Sequence, residues 1–208
     1  MDEHNDFPDR SSHGTNPENN AFSFYRNNLS MESISVQPPP RTIREVFESL
    51  PEGTLAQLIE NQLVMSPSPS DRHQEVLHEI SVIIYNYLKQ HSIGKVRIAP
   101  YDVHLDDQNI FQPDLIFIRN ENLSNIQQDG YRGAPDLVLE VLSPRTARYD
   151  KGKKKSIYES HGVSEYWLVD PDTKETERYF LKEGKYGEPI RSIGRKDSEI
   201  LDHSFEFN

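Results

Sequence analysis

The stretch DLVLEVL, residues 136–142, is almost uniformly apolar, yet Glu140 stands in its middle. Short apolar runs of this kind are strands covered on both faces. An unpaired carboxylate in such a place costs several kcal/mol, so a cation or a proton must compensate it. Asp114 poses the same problem one strand earlier, opening LIFI directly after Pro113. If the two strands are neighbours, the carboxylates converge at one end of a sheet. Two oxygen donors make a hard site that suits Mg²⁺ or Mn²⁺ and not zinc. Such an ion polarises a phosphoryl oxygen and makes a bound water nucleophilic near neutral pH, which is the chemistry of phosphodiester hydrolysis. A buried salt bridge to a lysine or arginine accounts for the same two residues about equally well. Asp136, after Pro135 at the strand edge, reads as a turn or cap residue.

The segment RTARYDKGKKK holds the only dense positive charge. From Arg145 to Glu159, the six cations Arg145, Arg148, Lys151, Lys153, Lys154 and Lys155 stand against Asp150 and Glu159, a local balance of +4. In an acidic chain this is a candidate phosphate-binding patch, with a solvated helix face as the plainer alternative. On a helix, Asp150, Lys154 and Tyr158 recur at four-residue spacing and share one face. His73 precedes Val76 by three residues and Ile80 by seven, so it falls on the apolar side of a first helical turn. It is either a residue at or behind a metal or a hydrogen-bonded core histidine. No GxxxxGK[ST] loop and no HExxH helix is present, and the absence of cysteine excludes thiolate metal sites and cysteine nucleophiles.

The elements that must hold these groups follow from periodicity. TIREVFESL spaces Ile43, Val46, Phe47 and Leu50 as a short helix, and TLAQLIENQLVMS reads as a helix or strand leading into a strand before SPSPS breaks the pattern. DRHQEVLHEISVIIYNYLKQH is the clearest helix, with Val76, Leu77, Ile80, Ile83, Ile84, Tyr87 and Leu88 on one face and Ser70 or Asp71 as N-cap. After Gly94 the period becomes strand-like. KVRIAPYDVHLDD, FQPDLIFI and DLVLEVL are expected as strands of one sheet, with His104 opposite Val103 and Leu105. A helix around DKGKKKSIYESHG, the strand EYWLVD, a turn, TERYFL and a weaker pair ending at HSFEF complete the order. The class is α/β (α+β), a single mixed sheet flanked by helices.

Length and charge set the frame. The 208 residues suit one domain at 41–208 behind an acidic, asparagine- and proline-rich tail at 1–40 that is expected to be disordered. Without the tail, 21 basic residues oppose 28 acidic ones, a balance of −7, so nucleic-acid binding has to rest on a local patch. No apolar run approaches the roughly 18 residues of a membrane helix, and the start lacks a signal-peptide pattern, so a cytoplasmic protein without membrane partners is expected.

Taken in order and spacing, QPDLIFI, APDLVLEVLSPRT, YDKGKKKSIY and GVSEYWLVDP resemble the Uma-two family of putative restriction endonucleases over roughly residues 42–182. LIENQLVMSPSPS and His73 at the head of a long helix match it too. The resemblance implies a restriction-endonuclease-like core of the PD-(D/E)XK type with a divalent metal. Asp114 then takes the place of the PD aspartate and Glu140 that of the second acidic residue. Leu142 stands where the usual lysine would be, so the catalytic ammonium falls to Lys154, which would orient water or stabilise the charged transition state. Asn61 and Gln62 replace the common Gly and Glu, leaving Glu60 as the nearby acid. His73, Glu60 and Tyr158 are expected behind the metal ligands, and Arg145, Arg148, Lys151, Lys153 and Lys155 on the nucleic acid. The expected function is a Mg²⁺- or Mn²⁺-dependent DNA endonuclease, with a homodimer as the arrangement that would cut both strands. The alternative is a non-catalytic nuclease-fold module that binds nucleic acid or protein through its basic helix.

Overall fold

The computed structural model describes residues 39–206, so all but the last two residues of the expected tail lie outside it. Helix α1 (Ile43–Glu48) starts where the Thr42 side chain accepts from the Glu45 amide. A hairpin follows, β1 (Ala56–Ile59) and β2 (Gln62–Met65), turned by Glu60 and Asn61 at φ 50° and 59°. The helix-or-strand ambiguity of TLAQLI is thereby resolved as strand. Helix α2 (Asp71–His91) has the bounds its periodicity suggests, capped by the Ser70 side chain and ended by Ser92 in the left-handed region.

Strands β3 (Gly94–Ile98), β6 (Leu115–Arg119), β9 (Leu137–Val141), β10 (Glu165–Val169), β11 (Glu175–Lys182), β12 (Lys185–Tyr186) and β13 (Ile190–Ile193) form the central sheet, in the order β12-β11-β10-β9-β6-β3 with β13 also on β11. It is mixed: β9 and β10 run parallel, while β9 and β6 run antiparallel. Parallel neighbours need a crossover. Here it is one right-handed helical run, α3 (Ala147–Tyr149), a π-helical turn (Asp150–Lys154) and α4 (Lys155–His161).

The expectation of one sheet needs correction. Strands β4 (Val103–His104) and β5 (Ile110–Phe111) leave the central sheet and join β1, β2, β7 (Ile126–Gln127) and β8 (Gly130–Arg132) in a second sheet, ordered β2-β1-β5-β4-β8-β7. The cis Ala99–Pro100 bond lies between β3 and β4, where the alternation of KVRIAPYDVHLDD conceals a change of sheet. A ribbon, β14 (Arg195–Ser198) and β15 (His203–Glu206), closes the chain.

The pleat decides which face each residue of β9 meets. Leu137, Leu139 and Val141 pack with α2 and the ribbon, beside Leu115, Phe117 and Trp167. Val138 and Leu142 turn the other way, with Ile116 and Ile118, toward α4 and the second sheet. Glu140 shares this second parity. The β6–β9 register pairs Leu115 with Leu139, and one step further sets Asp114 opposite Glu140. Directly opposed residues of antiparallel strands share a face.

Two other buried carboxylates belong to the fold. Glu165 on β10 is buried and accepts from Trp167 Nε1 (3.0 Å), Ser198 Oγ (2.9 Å) and the Ile200 amide (2.7 Å), tying the ribbon to the sheet. Trp167 is core, as its apolar strand suggests. Asp136 accepts from the Arg119 amide and Asn122 Nδ2, fixing the loop that precedes β9.

Candidate functional site

A cleft of about 660 Å³ opens between α2, the ends of β6 and β9, the loop after β2 and the start of the crossover. Its polar lining includes His73, Asp114, Glu140, Arg145, Asp150 and Lys154. The sequence singled out Asp114, Glu140 and Lys154, and the fold brings all three to this one cleft.

Glu140 is buried because its strand is covered on both faces. Its Oε1 accepts from Lys154 Nζ at 2.6 Å and from the Tyr158 hydroxyl at 3.1 Å. Lys154, itself buried, also donates to Asp150 Oδ1 at 3.1 Å. Asp150, Lys154 and Tyr158 do share one helical face, even through the π-turn, a local widening that recurs at functional sites. Asp114 is less enclosed, its side chain 17 % exposed. Its Oδ2 accepts the Val141 amide at 2.7 Å and meets His73 Nε2 at 3.2 Å. The buried salt bridge and the converging carboxylates are therefore both present: Lys154 pairs with Glu140, while Asp114 lines the cleft beside His73.

The charges explain the titration. Burial pushes Glu140 up, to about 8, against the pull of the Lys154 ammonium and with the help of Asp150 and Asp114. Burial alone would lower Lys154, but Glu140 and Asp150 outweigh it and hold the ammonium above its ordinary range. Burial likewise opposes a charged His73, and the Asp114 carboxylate overcomes it, raising the ring above its usual value. Three carboxylates, Asp114, Glu140 and Asp150, face one buried ammonium, and the raised Glu140 answers that imbalance by holding a proton that a cation could displace.

That donor chemistry suits a hard divalent ion. Among the described residues no three or more His, Asp or Glu side chains are grouped to hold a metal. Mg²⁺ needs fewer, since it commonly takes one or two carboxylates and completes its shell with water and phosphate oxygens.

The remaining expected residues divide. Tyr158 stands behind Glu140 and His73 behind Asp114, with His73 Nδ1 buried and unpartnered. Glu60 does not reach the cleft: the hairpin turn exposes it, and it pairs with Lys153. In the basic segment, Lys151 pairs with Glu177 and Lys155 lies over the Tyr179 ring. Arg148 lies over the Tyr149 ring, and only Arg145 of the expected nucleic-acid contacts lines the cleft. Asp150 was missed. The four-residue spacing places it on one helical face with Lys154 and Tyr158, but does not by itself assign it to the site.

Residues 44–205 match the family model Uma2, described as "Putative restriction endonuclease". The chain belongs to the Uma2 family. Among solved structures it is similar to "a putative nuclease belonging to DUF820 from Anabaena variabilis ATCC 29413", at 20 % identity and a TM-score of 0.61, over 73 % of this chain and 84 % of that one. No curated protein matches. The likeness supports the mixed α+β fold of this Uma2 protein, and the family supports a nuclease in general terms. Among the described residues no helix is long and apolar enough to cross a membrane.

Proposed function

We propose that this Uma2 protein is a divalent-metal-dependent endonuclease that hydrolyses phosphodiester bonds, with DNA as the expected substrate. One observation carries the reading: Asp114 and Glu140, from adjacent antiparallel strands, line a single cleft with an ammonium bonded to one of them. Asp114 and Glu140 would hold Mg²⁺ or Mn²⁺, which supplies charge stabilisation at the phosphoryl oxygens and a more acidic bound water. His73 and the Val141 amide fix Asp114 through Oδ2, and its other oxygen would be the one offered to the ion. Tyr158 and Asp150 hold Glu140 and Lys154 in place, and the Lys154 ammonium sits where it can orient water or balance charge developing on phosphate. Arg145, exposed at the cleft, would anchor a neighbouring phosphate.

Cleavage of mixed DNA substrates with Mg²⁺ or Mn²⁺ tests the reading. Glu140→Gln and Asp114→Asn should each lower the rate about thousandfold, the worth of several kcal/mol of metal-derived stabilisation, and chelation should stop it. Unchanged rates in both variants would refute it. A second reading, a non-catalytic module that binds nucleic acid or protein, draws on the closed Glu140–Lys154–Asp150 ion cluster, which is satisfied without a metal. Mn²⁺ titration separates the two: no heat at millimolar ion would favour the module.

A further inference from the structure

A second cavity, about 330 Å³, adjoins the cleft and shares Gln57, Ser66, Pro67, Arg145, Thr146, Asp150 and Lys154 with it. Its own walls differ in chemistry: Ile59, Val64 and Met65 from the hairpin and Tyr149 from the crossover. Met65 is 59 % exposed, a large apolar side chain left open to solvent beside a charged cleft. Tyr149 is half-buried, and its ring is held by Arg148, whose guanidinium lies 4.8 Å from the ring centroid and donates to the hydroxyl at 3.1 Å. Aliphatic walls with an anchored aromatic ring do not suit a phosphate. They suit the face of a flat heteroaromatic ring.

We infer that this pocket receives an unpaired nucleobase of the strand whose phosphate lies in the adjoining cleft. The inference rests on the nuclease reading above and narrows its substrate. The occupant follows from continuity: a chain entering past exposed Arg145 has its backbone at the carboxylates and its base beside Tyr149 and Met65. A base stacked inside a duplex has both faces covered and cannot lie on Tyr149, so it must be single-stranded, bulged or flipped out. The site would thus select strands with unpaired bases over continuous duplex.

Fluorescence anisotropy of the full-length protein tests this with three labelled probes: a single strand, the same sequence as duplex, and an all-abasic strand. The single strand should bind tightest. Tyr149→Ala should weaken it about tenfold, as expected for loss of aromatic–base stacking, and leave the abasic strand unchanged. Tyr149→Phe should restore binding, and Met65→Ser should weaken the single strand from the opposite wall without disturbing the core. Duplex binding as tight as single strand, or Tyr149→Ala weakening both single strands equally, would overturn the pocket. Cleavage assays keep the two ideas apart. Metal-dependent cleavage lost in Glu140→Gln but with base-blind binding would sink the pocket alone. Base-dependent binding with no metal-dependent cleavage would sink the hydrolytic reading alone.

Discussion

Glu140 holds the proton balance of the cleft. With its pKa near 8 in the folded state against an ordinary carboxylate when unfolded, the native protein takes up a proton that the unfolded chain has already lost. Metal-free stability should therefore fall as pH rises from about 4.5 toward 8, and chemical denaturation across that range should show the slope flattened in Glu140→Gln. Mn²⁺ competes with this proton, so calorimetric affinity should climb over the same window. Lys154→Met would leave Glu140 and Asp150 buried without their cation, costing about 3–5 kcal/mol in the same denaturation experiment. Glu140 was legible because a carboxylate in an all-apolar strand demands a partner, whether a metal or the buried salt bridge that Lys154 supplies. Asp150 was not, because a carboxylate among lysines has a bland explanation, and the partnership that buries it exists only after the crossover folds onto β9.

Elements were legible where one local pattern sufficed. Helix α2 carries its cap, its apolar stripe and its left-handed stop within its own residues, and its bounds were readable. The excursion of β4 and β5 into the second sheet was hidden, because alternation reports a pleat and not the sheet it joins. The hairpin turn sets a test at this scale. Asn61 tolerates φ 59° because its short polar side chain suits the left-handed region. Asn61→Gly should change the melting temperature little or raise it slightly, whereas Asn61→Val, β-branched at positive φ, should cost about 1–2 kcal/mol. Gly94 presents the opposite constraint. A Cβ there would collide with the Ile118 carbonyl and the Phe117 ring, so Gly94→Ala should push β3 off β6 and cost about 1–3 kcal/mol by thermal melting.

Across the whole molecule, a formal charge of −11 is set against a basic segment in which Lys151, Lys153 and Lys154 pair with acids from elsewhere in the chain, Glu177, Glu60 and Glu140. Arg145 and Arg148 form no ion pair among the described residues, so a single strand should release few counterions. The plot of log affinity against log salt should have a slope of about −1.4, and one steeper than about −4 would point to a broad electrostatic footprint instead. The fastening of Glu165 bears on handling the protein. Its three donors include Ser198 and Ile200, so clipping the chain before them would strand a buried carboxylate at the start of β10, two residues from Trp167. The ribbon is thus a keystone and not a trailing appendage: shortened versions that omit it should precipitate or fail to express, while a purification handle fused beyond it should be harmless.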